Sequence, residues 1–301
     1  MVTENNIGPK ATWTMFASLL ILMRPHQWIK NAFVAAPLFF SPSAVSLHSA
    51  GLIAAGVASF CFLSSAVYIV NDWMDREADR EHPKKRLRPL AAGTVSTPQA
   101  AGLFGALLLA GAIIGAFLTP NFLLLAASYV SINLAYSFGF KRVAILDVMI
   151  IAGVFVLRVY AGSVLIDVNP SPWMIVCTGL LALFLALAKR RDDLEIGLTG
   201  SHRSSLNGYT KEYLDVAVTI MLGALLIAYL MFTTGDYAQV KFGTEWLFLT
   251  TPFVIAGVLR YLQITLVEKR SGSPTLLVIR DRFLKLTILG WLGTFGLLIY
   301  G

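Results

Sequence analysis

The stretch GLIAAGVASFCFLSSAVYIVNDWMDREADREHPKKRLRPL, residues 51–90, decides how the chain is read. Residues 51–70 carry no charge at all, and such a run, roughly 20 residues long, spans the hydrocarbon core of a bilayer as a helix. Residues 71–90 then carry five acidic and six basic side chains. An apolar helix that runs straight into dense charge marks a membrane span ending at a watery face.

Working outward, the same scan gives nine apolar runs, at 27–46, 50–70, 97–117, 121–138, 144–165, 172–189, 213–232, 245–262 and 281–299. The first is interrupted by Lys30, Asn31 and two prolines. Turn residues separate others, as in Thr119-Pro120-Asn121, Asn169-Pro170-Ser171-Pro172 and Thr233-Thr234-Gly235-Asp236. Composition agrees. Of 301 residues, 56% are hydrophobic and 14% charged, and the mean hydropathy is +0.71. Ordinary globular chains are about 45–50% apolar and about 25% charged. These values exclude disorder, a collagen-like chain and a small disulfide scaffold. Cys61 and Cys177 lie in separate apolar runs and read as small core residues. The expectation is an all-α polytopic membrane protein of nine transmembrane helices, one unit over residues 1–301. An apolar segment at about 11–23 precedes the first run without a cleavage site and reads as an interfacial helix.

The net charge of +7 is a matter of topology rather than of nucleic-acid binding. Of 24 basic residues, 22 fall on one side of this arrangement, Lys241 on the other, and Arg158 within a span. The positive-inside rule then places the N-terminus in the cytoplasm and the C-terminus outside. Topology needs no carboxylates, yet two cytoplasmic segments hold Asp72, Asp75, Glu77, Asp79, Glu81 and Asp192, Asp193, Glu195.

If the second helix continues past Val70, Asn71, Asp75 and Asp79 fall within about 80° on one face, with Asp72 about 100° from Asn71. Three oxygen donors in a column suit Mg²⁺, which keeps waters and takes substrate phosphates. Lys84, Lys85, Arg86 and Arg88 follow within one short loop and can clamp the same phosphates. A solvated helix end is the commoner use of such charge, but Asn and Asp so near a bilayer are costly unless paired or liganding. The reading is a metal–diphosphate site.

The motif Asn71-Asp72-x-x-Asp75-x-x-x-Asp79 resembles the first Asp-rich motif of the UbiA-type intramembrane prenyltransferase superfamily. Further likeness lies in Arg24-Pro25-His26-Gln27-Trp28-Ile29-Lys30-Asn31, Ala66-Val67-Tyr68, Arg80-Glu81-His82-Pro83, Arg88-Pro89-Leu90-Ala91-Ala92-Gly93, Ala135-Tyr136-Ser137-Phe138-Gly139 and Leu157-Arg158-Val159-Tyr160-Ala161-Gly162. The resemblance runs over nearly the whole chain and implies nine transmembrane helices, Mg²⁺ and a cytoplasm-facing site in the bacterial inner membrane. Relatives that use prenyl diphosphate place a second Asp-rich motif at the end of the sixth span. Here Asp192 and Asp193 match in part, but Lys189, Arg190 and Arg191 stand where further acid is expected. Cations in place of metal ligands favour phosphate held directly by the protein. That departure resembles the superfamily's phosphoribosyltransferase branch.

The resemblance implies transfer of 5-phosphoribose from phosphoribosyl diphosphate to a polyprenyl phosphate such as decaprenyl phosphate, a step in making cell-wall precursors. Asn71, Asp75 and Asp79 would hold the metal, and Asp75, Asp79 and Lys189 would be catalytic. Substrate contacts are expected from Lys30, Asp72, Lys84, Lys85, Arg86, Arg88, Tyr136, Lys141, Arg158, Arg190, Asp193, Arg203 and Tyr209. Lys30 stands where a lipid phosphate would lie, with snorkelling as its plainer role. For Lys189 to Arg191 the plainer role is a membrane anchor, and for Arg203 and Tyr209 an ordinary polar loop. Arg158 needs a partner or a cavity; Asp147 shares its face but lies about 16 Å away along the helix. Two other readings stay open: prenyl transfer to an aromatic or other small acceptor, which Asp192 and Asp193 favour, and a transporter, which predicts more polar groups deep in the spans. Four histidines without metal spacing do not support zinc. Oligomeric state is not legible, a homo-oligomer included.

Overall fold

The computed structural model describes residues 9–82, 85–200, 204–269 and 274–301, and contains no strand among them. Helix α1 (Pro9–Met23) leads into a 3₁₀ segment (Pro25–Val34) and the single turn α2 (Ala36–Phe39). Helices α3 (Leu47–Met74), α4 (Arg76–Glu81), α5 (Thr97–Leu118), α6 (Pro120–Phe138) and α7 (Leu146–Leu165) follow. The remainder is α8 (Pro172–Glu195), α9 (Lys211–Thr234), α10 (Asp236–Phe242), α11 (Thr251–Leu262), α12 (Pro274–Arg280) and α13 (Arg282–Tyr300). A π-helical turn (Gln263–Val267) extends α11.

Among the described residues, eight helices are long and apolar enough to cross a membrane. They match eight of the nine expected runs within a few residues, because the sequence caps them sharply. Ser46, Thr119, Ser171 and Thr210 each accept a backbone N–H from three residues on, at 3.0 to 3.1 Å. Each such cap contributes about 1 kcal/mol. Thr119 and Pro120 make the turn between α5 and α6 a single residue.

The run at 27–46 is not one helix. Pro37 lacks a donor and crowds the carbonyl four residues back, and Pro42 repeats the problem, so the segment breaks into 3₁₀ and α turns. It nonetheless links the two ends of the bundle. Arg24 ion-pairs with Asp72 at the last turns of α3. At the other end, the Phe39 carbonyl accepts from the Tyr300 hydroxyl, 2.8 Å away at the end of α13. Phe39 and Phe40 also pack on the core around Phe295, as does Trp173 at the start of the helix whose far end carries Arg190. A 3₁₀ helix rises about 2.0 Å per residue, against about 1.5 Å in an α-helix, so few residues cover this distance. Gly162 of α7 makes room: a Cβ there would run into the Val34 carbonyl.

Helices α3 and α7 are the most enclosed and α5 and α13 the least. One core gathers Val34, Phe60, Phe122, Tyr129 and Leu165 around α3. A second gathers Phe184, Leu214, Val218, Tyr261 and Ile264 around α8, α9 and α11. The two central helices thus bring Asn71 to Asp75 and Asp147 to one end of the bundle, where α6 and α8 deliver Lys141 and Arg190. Cys61 and Cys177 are free thiols, as their positions suggested.

Candidate functional site

The expected carboxylate column is divided. Helix α3 ends at Met74 because Asp75 adopts φ −92°, ψ 0°, and α4 restarts at Arg76. Asp79 is buried, 3% exposed. Arg88 Nη1 donates to Asp79 Oδ2 at 2.6 Å and to Asp72 Oδ1 at 3.0 Å, and Arg24 also pairs with Asp72. The Arg24 guanidinium in turn lies over the Tyr68 ring, 5.1 Å from its centroid. Asp72 is only 1% exposed, and two guanidinium groups compensate its desolvation.

Asn71 and Asp75 form the other half. Asn71 Nδ2 donates to Asp75 Oδ2 at 3.2 Å. Lys141 Nζ lies 2.5 Å from Asp75 Oδ1 and 3.3 Å from Asn71 Oδ1, and Ser137 donates to the same amide oxygen. Two oxygens therefore already converge on one positive centre. The Asn71 amide and the Asp75 carboxylate offer hard oxygen donors of the kind Mg²⁺ takes. Among the described residues no three Asp, Glu, His or Cys side chains meet as a ready cluster. The donor set fits a metal at Asn71 and Asp75, whereas the Asp79 carboxylate is directed at Arg88.

A second cluster sits beside it, where the start of α7 meets the end of α8. Helix α8 continues through Glu195, past the expected end at 189, so Arg190 and Arg191 turn into the bundle. Arg190 Nε donates to Asp147 Oδ2 at 2.8 Å, with Asp193 Oδ2 3.8 Å from its Nη1. Ser205 Oγ and the Tyr209 hydroxyl donate to Asp147 at 2.9 and 2.7 Å. The Tyr209 oxygen accepts the Ile145 N–H at 2.6 Å, holding Ile145 at φ 67°, a conformation a β-branched residue seldom adopts. Burial, with the Asp147 carboxylate beside it, pushes the Tyr209 phenol well above its ordinary value, so it remains a donor. Arg191 is likewise spent, on Asp215, Glu195 and the Thr265 carbonyl. Arg190 and Tyr209 are thus internal ties that fasten the loop after α8; as placed, neither is open to a phosphate.

Arg158 does not reach Asp147. It donates to Asn31 Oδ1, the Tyr129 hydroxyl and the Val154 carbonyl, at 3.0, 3.0 and 2.9 Å. Asn31 passes the tie on to Cys61 and Ser64 of α3.

The remaining expected residues spread around this end. Lys189 and Arg86 are exposed, and Lys85 is half-buried with its N–H on His82 Nδ1. Tyr136 lies near the Arg190 guanidinium, and Lys30 lies near Tyr68. Lys84 and Arg203 fall outside the described residues. Sequence reasoning did not place Arg24, Ser137, Asp147 or Ser205 in the site. An acid at the start of an apolar span, as Asp147 is, was the available signal.

Comparison with known proteins follows this geometry. Residues 28–286 match the UbiA prenyltransferase family. The chain is 36% identical to the decaprenyl-phosphate phosphoribosyltransferase of Mycolicibacterium smegmatis, covering 95% of this chain and 93% of that one. It is 33% identical to the enzyme of the same name from Corynebacterium glutamicum, over 99% of this chain and 91% of that one. Its fold is that of a UbiA homolog from Archaeoglobus fulgidus bound to GPP and Mg²⁺, with a TM-score of 0.69, 22% identity, and coverage of 94% and 100%. With the helical bundle, the oxygen-rich end of α3 and a match over most of its length, the chain belongs to the UbiA prenyltransferase family.

Proposed function

We propose that the protein transfers 5-phosphoribose from phosphoribosyl diphosphate to a polyprenyl phosphate, decaprenyl phosphate being the expected acceptor, and releases diphosphate. The observation that carries this is the likeness of 33–36% over nearly the full chain to relatives named for that reaction. The exposed Lys189 near the end of α8, where prenyl-diphosphate users carry acid, supports it.

The chemistry needs little from a base. An oxygen of the lipid phosphate, already anionic at neutral pH, attacks C1 of the ribose. The C1–O bond to diphosphate breaks, its electron pair leaves with the diphosphate, and no proton must move. Positive charge grows on the ring as that bond loosens, so the work of the protein is to hold and neutralise the leaving group. Asn71, Asp75 and Asp79 would hold Mg²⁺, which supplies charge neutralisation to diphosphate when bound. Lys141 and Arg88 neutralise Asp75 and Asp79 here and turn to phosphate oxygens once those carboxylates are engaged. Lys85, Arg86 and Lys189 would contact the sugar 5-phosphate or diphosphate, and Lys84 is assigned with them on sequence alone.

The nine-pass arrangement belongs to the same proposal, with the N-terminus and the site cytoplasmic and the C-terminus outside. Support comes from the 22 basic residues on one side and from the segment that links Arg24 to Phe39. Within a single unit over 1–301, α1 lies along the cytoplasmic interface, its Leu22 buried in the core it shares with Ala66 and Ile69.

The test is a transfer assay on purified protein with Mg²⁺ and decaprenyl phosphate. Labelled phosphoribosyl diphosphate is supplied in one arm, and labelled prenyl diphosphate with 4-hydroxybenzoate in the other. Label entering lipid only from the ribose donor supports the proposal. Prenylated acid instead would transfer the protein to the aromatic branch.

A further inference from the structure

Just inside the carboxylates, the bundle carries positive charge without acid to match it. Arg24 is spent on Asp72. Arg158 is 3% exposed, and every partner it has is neutral: an amide, a hydroxyl, a carbonyl, and the rings of Tyr129 and Phe155 at 4.7 and 5.1 Å. Lys30 is half-buried, and among the described residues neither it nor Arg158 pairs with a carboxylate. Trp28 Nε1 donates to Ser65 Oγ at 3.0 Å and Asn31 Nδ2 to Ser64 Oγ at 3.3 Å, so Lys30 runs alongside the turns of α3 that lead to Tyr68, whose ring lies under the Arg24 guanidinium. Outside the spans, burial and the charges of Arg24 and Lys30 hold the His26 imidazole below its ordinary value, a further mark of the same surplus.

Unpaired cations inside a membrane protein are costly and are retained where an anion, a partner or a path requires them. Depth narrows the choice of anion. Lys30 lies six residues beyond Arg24 on the 3₁₀ segment, about 12 Å further in. Arg158 is twelve residues into α7, about 18 Å from its start. A soluble sugar diphosphate whose phosphates meet Asn71 and Asp75 leaves the charge at the depth of Arg158 unanswered. A phosphate attached to an isoprenoid tail arrives from there. Tyr68 is also three residues before Asn71 on α3, within about one turn of the carboxylates that face the donor.

We propose that Lys30 and Tyr68 form the subsite for the acceptor's phosphomonoester, with Arg158 as its deeper counter-charge and as the positioning residue that fixes Lys30 through Asn31. This rests on the transfer reading above, whose acceptor is such a lipid. Oxygens of the phosphate accept from the Lys30 ammonium and the Tyr68 hydroxyl, so the nucleophile stands one helical turn from Asn71.

The experiment measures binding, so it needs no turnover. Purified full-length protein in detergent is titrated with farnesyl phosphate, farnesol, inorganic phosphate and phosphoribosyl diphosphate. Wild type should bind farnesyl phosphate about tenfold or more tightly than farnesol, without competition from inorganic phosphate. Lys30→Gln and, separately, Tyr68→Phe should remove most of that preference while donor affinity changes less than about twofold. Thermal unfolding checks that each variant is folded, and the two substitutions fall on different elements, so one suffices if the other is lost. No preference in wild type, an unchanged preference in a folded variant, or an equal loss of donor affinity would overturn the proposal. A protein that prefers farnesyl phosphate but transfers no ribose would keep the subsite and lose the transfer reading.

Discussion

Arg190 Nε stands 2.8 Å from Asp147 Oδ2, joining two helices through side chains no more than 1% exposed. Ser205 and Tyr209 complete the coordination of the carboxylate, so one acid ties α7, α8 and the loop 196–210 together. Asp147→Ala leaves a buried guanidinium uncompensated, which costs about 3–5 kcal/mol. The expected result is a clear fall in the detergent melting temperature. Replacing both partners, as in Asp147→Asn with Arg190→Gln, should recover part of it. Unchanged melting in Asp147→Ala would show that the tie contributes nothing.

Asp75 and Asp79 should separate in their effects. Asp75 is 31% exposed at its side chain, so Asp75→Ala is expected to abolish transfer with melting nearly unchanged. Asp79 is 4% exposed and shares Arg88 with Asp72, so Asp79→Ala should abolish transfer and also cost about 1–3 kcal/mol. Chelation should silence wild type, and added Mg²⁺ should restore it. Normal turnover in either variant would remove the proposed metal site.

Lys189 is exposed beside the buried Arg190. If it contacts the phosphorylated donor, Lys189→Ala raises KM for phosphoribosyl diphosphate by about tenfold and leaves KM for the lipid alone. An unchanged donor response would return Lys189 to a membrane anchor.

Asp281 gives a pH signature away from the site. The Arg260 guanidinium, 2.7 Å away, holds its carboxyl below the usual 3.8. A folded value below the unfolded one contributes stability above the ordinary carboxylate range and loses it as pH falls through the lowered value. Melting temperature should therefore drop more steeply on acidification in wild type than in Asp281→Asn. Parallel acid limbs would refute the coupling.

The spans were legible because their length and apolarity are one-dimensional properties, and caps such as Thr119 and Ser171 sit at their starts. The broken course of 27–46 was not, because a scan for apolar length assumes α-helical rise and counts Lys30 and Asn31 only as interruptions. Asn71, Asp75 and Lys141 were named from sequence and do meet. Asp79, named with them, pairs with Arg88, a partner nine residues on that helical spacing does not announce. The Arg190 partner was not legible for a different reason: whether a cation faces water or Asp147, 43 residues earlier, depends on how two helices face each other. Asp147 and Arg24 were overlooked as site residues on the same ground.

The segment 25–39 also bears on how the protein is made. Asn31 meets Arg158 only 127 residues later, and the Phe39 carbonyl meets Tyr300 only 261 residues later. At about 5–20 residues per second, this segment waits tens of seconds for the last of its partners. Its polar side chains and uneven backbone give it no hold of its own in that interval. An early segment of the chain is therefore the last to settle, and the Lys30 region takes shape only when synthesis is nearly complete.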